Sequence, residues 1–182
     1  MIILESERLL FREHEPGDLE AYCAMEADPE VRRYVGGIPR SRQEAERKFC
    51  DLHLKSTSAS LRLCATVFKP EGRYIGYCGL YSSFAPEGAI TDEATLGLYL
   101  ARDYWGRGLA SEAGRAFIKF GFTKLHPRRI FASVEVGNAA SIRVLEKLDF
   151  AVIGTERGIR SFHHFQLANE SCEADIRSTL NL

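Results

Sequence analysis

The sequence predicts an α/β (α+β) chain built on a mixed, mostly antiparallel central sheet with helices on both faces. Three observations carry this. Two strand-period runs, 61–68 and 74–81, are joined by the tight turn Lys69-Pro70-Glu71-Gly72 and read as antiparallel partners. Further on, strand-like and helix-like runs alternate through 93–100, 109–122, 129–136, 138–148 and 150–153. Finally, Gly106-Arg107-Gly108 stands where a strand hands over to a helix.

The elements follow in order. Residues 8–12 (Arg-Leu-Leu-Phe-Arg) read as a first strand. Pro16-Gly17-Asp18 then starts a helix to about Ala27, with Leu19, Tyr22, Cys23 and Met25 forming its apolar stripe. Asp28-Pro29-Glu30 caps a short helical segment carrying Val31 and Tyr34, and Val35-Gly36-Gly37-Ile38-Pro39 breaks it. Ser41 opens a polar helix to about Lys55, with Glu44 three residues on completing a capping-box pattern. After the hairpin, 93–100 is a third strand running into the glycine turn and its helix, 109–122. The run 129–136 is a strand of clear alternation. The helix 138–148 puts Ile142, Leu145 and Leu148 on one face, and the last strand is expected at 162–168.

At 182 residues, with neither a repeat nor a linker, residues 1–182 are expected to form one domain. A net charge of −1 lacks the basic excess of a dedicated nucleic-acid binder, so no such partner is expected. No apolar run approaches the ~18 residues of a membrane span, and charge follows Met1-Ile2-Ile3-Leu4 too soon for a secretory signal. The five cysteines, Cys23, Cys50, Cys64, Cys78 and Cys172, are odd in number and widely spaced. They read as reduced thiols of a cytoplasmic protein, with no metal site and no disulfide frame.

The glycine turn is the chemically suggestive segment. Alternate glycines let the backbone come close to a bound group, and the first helical amides have no intrahelical partners. Those amides also carry the positive end of the helix dipole, so an anion such as a phosphate suits the position. The longer phosphate signatures, with a third glycine or a following Gly-Lys-Ser/Thr, do not occur here. On this segment alone, glycines serving turn geometry only are the alternative reading.

Two segments together resolve it. Trp105-Gly106-Arg107-Gly108-Leu109-Ala110-Ser111-Glu112-Ala113 matches a Trp-Gly-x-Gly-x-Ala-x-Glu-Ala pattern. Asn138, Ser141, Glu146, Lys147 and Phe150 match Asn-x-x-Ser-x-x-x-x-Glu-Lys-x-x-Phe. Read together, they make the chain resemble the GNAT superfamily of N-acetyltransferases, in particular the branch that includes the ribosomal-protein N-terminal acetyltransferases. Glu7-Arg8-Leu9-Leu10-Phe11-Arg12, Gly17-Asp18 and Asp28-Pro29-Glu30-Val31 extend the likeness, which covers about residues 5 to 155.

The resemblance implies a splayed sheet with a cofactor cleft, acetyl-CoA as cofactor, and acetyl transfer to a primary amine of a protein N-terminus or a small molecule. It implies that Trp105, Gly106, Arg107, Gly108, Leu109 and Ala110 bind the pyrophosphate of coenzyme A, largely through backbone amides. Leu98, Tyr99 and Leu100 would hydrogen-bond the pantetheine arm like an added strand, one N–H holding the thioester oxygen where charge builds. Monomer or homodimer is expected, with neither membrane nor nucleic acid as partner.

Two departures bear on the chemistry. Trp105 stands where the wider superfamily often has Arg or Gln, and Leu145 where it often has a Tyr that protonates the leaving thiolate. Leu145 has no proton to give. Ser141 is the hydroxyl left in the matching helical turn and is the candidate donor to the sulfur. Asn138, the presumed cap, is a further candidate for contact with the cofactor. An ammonium must lose a proton before it attacks. Glu135 is the first candidate base, and strand alternation places it on one face with Ser133; Glu93 and Asp92 are the others.

His163-His164 make a poor chelating pair because strand neighbours point to opposite faces, although one of them could face the acceptor cleft. His14, His53 and His126 show no partner pattern, and Glu112 reads as structural. On the acceptor side, Tyr34-Val35-Gly36-Gly37 and Tyr81-Ser82-Ser83-Phe84 are expected to wall the cleft, with Tyr34, Tyr81 and Phe84 offering an apolar slot. Glu26, Asp28 and Glu30 are the acidic residues there. A protein N-terminus, an aminoglycoside, a polyamine and an amino acid all fit. No cysteine lies in either motif, which points to direct transfer in a ternary complex. The missing Tyr leaves open an alternative, a non-catalytic acyl-CoA-binding module.

Overall fold

The computed structural model describes residues 1–51, 63–82 and 92–169. Among these, the strands are β1 (Ile2–Glu5), β2 (Leu9–Arg12), β3 (Cys64–Phe68), β4 (Arg73–Tyr81), β5 (Glu93–Leu100), β6 (Arg129–Glu135), β7 (Ala151–Glu156) and β8 (Phe162–Ala168). The helices are α1 (Leu19–Ala27), α2 (Pro29–Arg32), α3 (Arg42–Phe49), α4 (Leu109–Phe120) and α5 (Ala139–Glu146).

Local capping chemistry sets several boundaries where the sequence predicts them. The Ser41 side chain accepts from the Glu44 amide while the Glu44 carboxylate accepts from the Ser41 amide at 2.9 Å, so α3 starts in a capping box. Asp28 caps α2 by accepting from the Glu30 amide at 2.8 Å. α4 ends earlier than expected, at Phe120, and runs into a wider turn, Gly121–Leu125. The strand β1 was not anticipated, because Ile2-Ile3-Leu4 shows no alternation and pairing with β2 supplies the order. The expected ends of α3 and β3, and with them His53, lie outside the described residues.

The strands form one eight-stranded sheet in the order β1-β2-β3-β4-β5-β6-β8-β7. All neighbours are antiparallel except β5 and β6. The connection through α5 does not carry β6 to an adjacent β7. Instead β7 lies at the sheet edge and β8 inserts between them, antiparallel to both. Which strand fills a gap depends on long-range register, and local patterning does not encode that.

Helices cover both faces, as predicted. On one face Leu9, Phe11, Ile75 and Leu80 pack with Leu109, Ala113 and Phe117 of α4 and Leu145 of α5. The Phe11 and Phe117 rings meet edge to face at 4.7 Å. On the other face Tyr22 of α1 and Phe49 of α3 close over Tyr77. No helix among the described residues is long and apolar enough to cross a membrane.

One irregularity positions the site. β5 and β6 pair only through Glu93↔Arg129, Ala94↔Ile130 and Thr95↔Phe131. Beyond that point each strand keeps its outer partner, β4 for β5 and β8 for β6, but not the other. The sheet therefore opens between residues 96–100 and 132–135.

Candidate active site

The opening is a cleft of about 680 Å³, lined by both strands, by Ala110 of α4, by Asn138 and Ser141 at the start of α5, and by 34–36 across the mouth. Expected residues of the donor and catalytic sides, Leu98, Tyr99, Ala110, Glu135, Asn138 and Ser141, thus share one cavity.

The donor end is built on bare backbone. Gly106 and Gly108 sit at φ 71° and 78°, in the left-handed region that side chains disfavour. A Cβ on Gly106 would meet nothing within 4 Å, and one on Gly108 only Arg8 Nη2 at 3.6 Å. Gly108 is also the N-cap of α4 and supplies no side chain to it, so the first helical amides keep no intrahelical partner. A bulky anion fits such a cradle. The Arg107 guanidinium lies over the rings of Phe68 and Tyr104, 4.7 and 5.2 Å from their centroids. Trp105, 46% exposed, donates its indole N–H to the Leu100 carbonyl at 2.8 Å. That carbonyl is therefore already engaged.

Glu112 has the structural role expected of it. Its carboxylate accepts from the Ser6 hydroxyl, the Arg8 amide and the Arg8 Nε, each at 2.7 Å. Burial alone would raise its pKa, but these donors hold it below the ordinary carboxylate value. Arg8 also donates to the Arg107 carbonyl at 3.1 Å, so the chain's first hairpin braces the glycine turn.

At the cleft's centre, Asn138 caps α5 by accepting from the Ser141 amide at 3.2 Å. The Ser141 hydroxyl has no protein partner among the described residues. Leu145 is 4% exposed and forms apolar wall. Glu135 faces the cleft but is paired with Arg160 Nη2, which also donates to the Arg33 carbonyl at 3.0 Å. The other candidate carboxylates hold arginines too: Glu93 with Arg129 at 2.6 Å, and Asp92 with Arg128 at 3.7 Å.

The cleft-lining turn 34–36 is tied through Arg32 to Glu26, which is 1% exposed. Its carboxylate accepts from Tyr77 Oη at 2.8 Å, from Arg32 Nη1 at 3.3 Å and from Arg40. Glu26 is thus consumed inside the fold, and a substrate cation does not reach it. Tyr77 stacks on Tyr99 at 4.8 Å, and burial pushes the Tyr99 hydroxyl up to about 12. Tyr34 and Tyr81 line the cleft as expected, joined by Phe131, Ile153 and Phe162. Phe84 lies outside the described residues.

The two adjacent histidines do separate to opposite faces. His163 meets Thr155 Oγ1 at 2.9 Å on one side, while His164 lines the cleft with Nδ1 3.0 Å from Ser133 Oγ. The Ser133–His164 pair and the Glu26 network escaped sequence reasoning. The one available signal was the alternation that put Ser133 beside Glu135. Buried Cys64 and Cys78, pushed up to about 12 and about 11 by desolvation, stand opposite each other across β3 and β4 as thiols. Among the described residues no group of His, Cys, Asp and Glu could hold a metal ion.

Comparison with known proteins agrees with this layout. A family model described as an acetyltransferase (GNAT) domain matches residues 8–151. An uncharacterised N-acetyltransferase, p20 of Bacillus licheniformis, is 34% identical over 161 residues, 86% of each chain. Among solved structures, a GNAT-family acetyltransferase from Bacillus anthracis superposes with a TM-score of 0.79 at 23% identity, covering 93% of this chain and 99% of that one. RimL, a ribosomal L7/L12 alpha-N-protein acetyltransferase solved with coenzyme A, has a TM-score of 0.76 at 15% identity, covering 94% and 99%. At such identities these structural likenesses concern the fold.

Proposed function

The chain belongs to the GNAT family of N-acetyltransferases, and on that premise we propose that residues 1–182 form one cytoplasmic catalytic domain that uses acetyl-CoA to acetylate a primary amine, of a protein N-terminus or a small molecule, by direct transfer in a ternary complex. The observation that carries this reading is the end of β5–β6 pairing at Thr95↔Phe131, beyond which that edge of β5 has no strand partner among the described residues and lies inside a cleft.

When bound, acetyl-CoA supplies the thioester carbonyl that the amine attacks. Amides of 106–110 would take the pyrophosphate, since the Trp105 amide already donates to the Arg102 carbonyl at 3.0 Å; a Cβ on Gly106 would meet nothing, and one on Gly108 only the end of Arg8. Backbone groups of Leu98 and Leu100, which alternate away from β4 while those of Tyr99 pair with Tyr77, would bind the pantetheine arm as an added strand along 98–100, with an N–H there facing the oxygen on which charge builds. The Leu100 carbonyl already accepts from the Trp105 indole, which leaves it one lone pair. Ser141 Oγ, which has no protein partner among the described residues, would donate a hydrogen bond to the coenzyme A sulfur, and Asn138 fixes the backbone that carries it through the cap. Glu135 faces the acceptor amine; any proton it takes requires the Arg160 pair to open.

The test is thiol release from acetyl-CoA against a panel of amines that includes peptide N-termini. Release that depends on an amine is expected. Tight coenzyme A binding with no release for any amine would instead mark the chain as an acyl-CoA-binding module.

A further inference from the structure

We propose that the proton leaving the acceptor ammonium passes through Ser133 to His164, with Glu156 behind the imidazole. The proposal rests on the acetyl-transfer reading above and names a proton path which that reading left without a free carboxylate.

The sheet register builds this chain of groups. Ser133 of β6 stands directly opposite His164 of β8, where side chains on one face meet. Their contact is 3.0 Å, Ser133 Oγ to His164 Nδ1. Glu156 of β7 is diagonal to His164, and its Oε2 lies 3.5 Å from Nε2. Both Ser133 and His164 line the cleft. The insertion of β8 between β6 and β7 is what lets one imidazole touch a hydroxyl on one neighbour and a carboxylate on the other.

The proton bookkeeping closes without an outside reagent. An N–H bond of the ammonium breaks as an O–H bond forms on Ser133, while the Ser133 hydroxyl proton moves to His164 Nδ1. The products are a neutral amine, an unchanged serine and an imidazolium whose Nε2–H faces the Glu156 carboxylate. The relay requires neutral His164 to carry its proton on Nε2 and to accept from Ser133 at Nδ1.

Other charged groups face the same space. Glu135 of β6 is held by Arg160 from the β7–β8 connection, and Glu93 of β5 by Arg129 of β6. Tyr34 and Tyr81 come from the opposite wall. The carboxylates nearest the cleft are thus already ion-paired, whereas His164 turns a ring nitrogen toward Ser133.

Two measurements test the relay. The first reads turnover of the best amine against pH for the wild type, His164→Gln, Ser133→Ala and Glu135→Gln, with coenzyme A affinity measured alongside. His164→Gln should lose about 10²-fold or more in kcat near neutral pH at unchanged coenzyme A affinity, the deficit shrinking as alkaline pH deprotonates the amine unaided. A His164→Gln enzyme with wild-type rate and pH profile would overturn the relay. So would Glu135→Gln taking over that loss while His164→Gln escapes it. The second needs no turnover: imidazole ¹⁵N resonances of the full chain, with His164 assigned by His164→Gln. The Nε2–H tautomer, loosened in Ser133→Ala, is expected, and an Nδ1–H tautomer overturns the relay even in an active enzyme. A wild type that turns over no amine overturns the acetyl-transfer reading and the relay with it.

Discussion

Trp105 donates its indole N–H to the Leu100 carbonyl across 2.8 Å, joining the end of β5 to the glycine turn. The two surfaces proposed to hold coenzyme A, strand edge and helix N-terminus, are thereby fixed relative to each other. Trp105→Phe keeps an aromatic ring and removes the donor. The loss of stability should be about 0.5–1.5 kcal/mol, and coenzyme A affinity should fall by no more than about tenfold. Chemical denaturation and calorimetric titration read the two effects separately.

Gly108→Glu sets a side chain at φ 78° and brings a negative charge to the helix N-terminus. Coenzyme A affinity should drop by more than about 10²-fold, the equivalent of about 2.7 kcal/mol. Gly108→Ala, which carries the strain of about 1–2 kcal/mol without the charge, should bind far better. Equal affinity for Gly108→Glu and wild type would remove the turn from the cofactor site.

Ser141→Ala removes the hydroxyl in the first turn of α5 and leaves the Asn138 cap, which uses the Ser141 amide, in place. Turnover should fall by on the order of 10²-fold with coenzyme A affinity unchanged. Wild-type turnover in a steady-state assay takes Ser141 out of the chemistry.

His14 packs among the rings of Phe49, Tyr74 and Tyr77, and burial pushes its pKa down to about 4. A folded-state value below the unfolded one means the contribution is complete above about 6.5 and is lost as pH falls from there toward 4. The loss amounts to at most about 3 kcal/mol. Denaturation midpoints between pH 7 and 4 should decline steeply for the wild type and more gently for His14→Gln.

Glu112 contributes in the acid range. Its carboxylate is held below the ordinary value, so the stability it lends is present above about 4.5 and disappears as pH falls through the folded value. Glu112→Gln should cost about 1–3 kcal/mol at neutral pH by leaving Arg8 and Ser6 short of an acceptor. It should also flatten the acid limb of the stability curve.

Much of the fold was legible because it is local. The capping box at Ser41 and Glu44, the Asp28 and Asn138 caps and the glycine turn depend on residues no more than four apart. Strand alternation in β6 placed Ser133 and Glu135 opposite Ala132, Val134 and Val136; Ala132 and Val134 are buried, whereas Val136, just past the end of β6, is exposed. The donor half of the site could be read for the same reason: backbone geometry and a helix end make it. β1 was missed because Ile2-Ile3-Leu4 does not alternate, and the place of β8 has no local mark because its pairing partners are set by long-range register.

By itself, then, the sequence determined the mixed sheet, its helical faces and a phosphate-friendly turn opening α4, since periods of 2 and 3.6 residues and the chemistry of caps are short-range properties. Tertiary structure alone decided which charges meet. It gave Glu135 to Arg160, Glu26 to Arg32 and Arg40, and Ser133 to His164, because only the register of β6 against β8, and of helix against sheet, brings those groups within hydrogen-bonding distance.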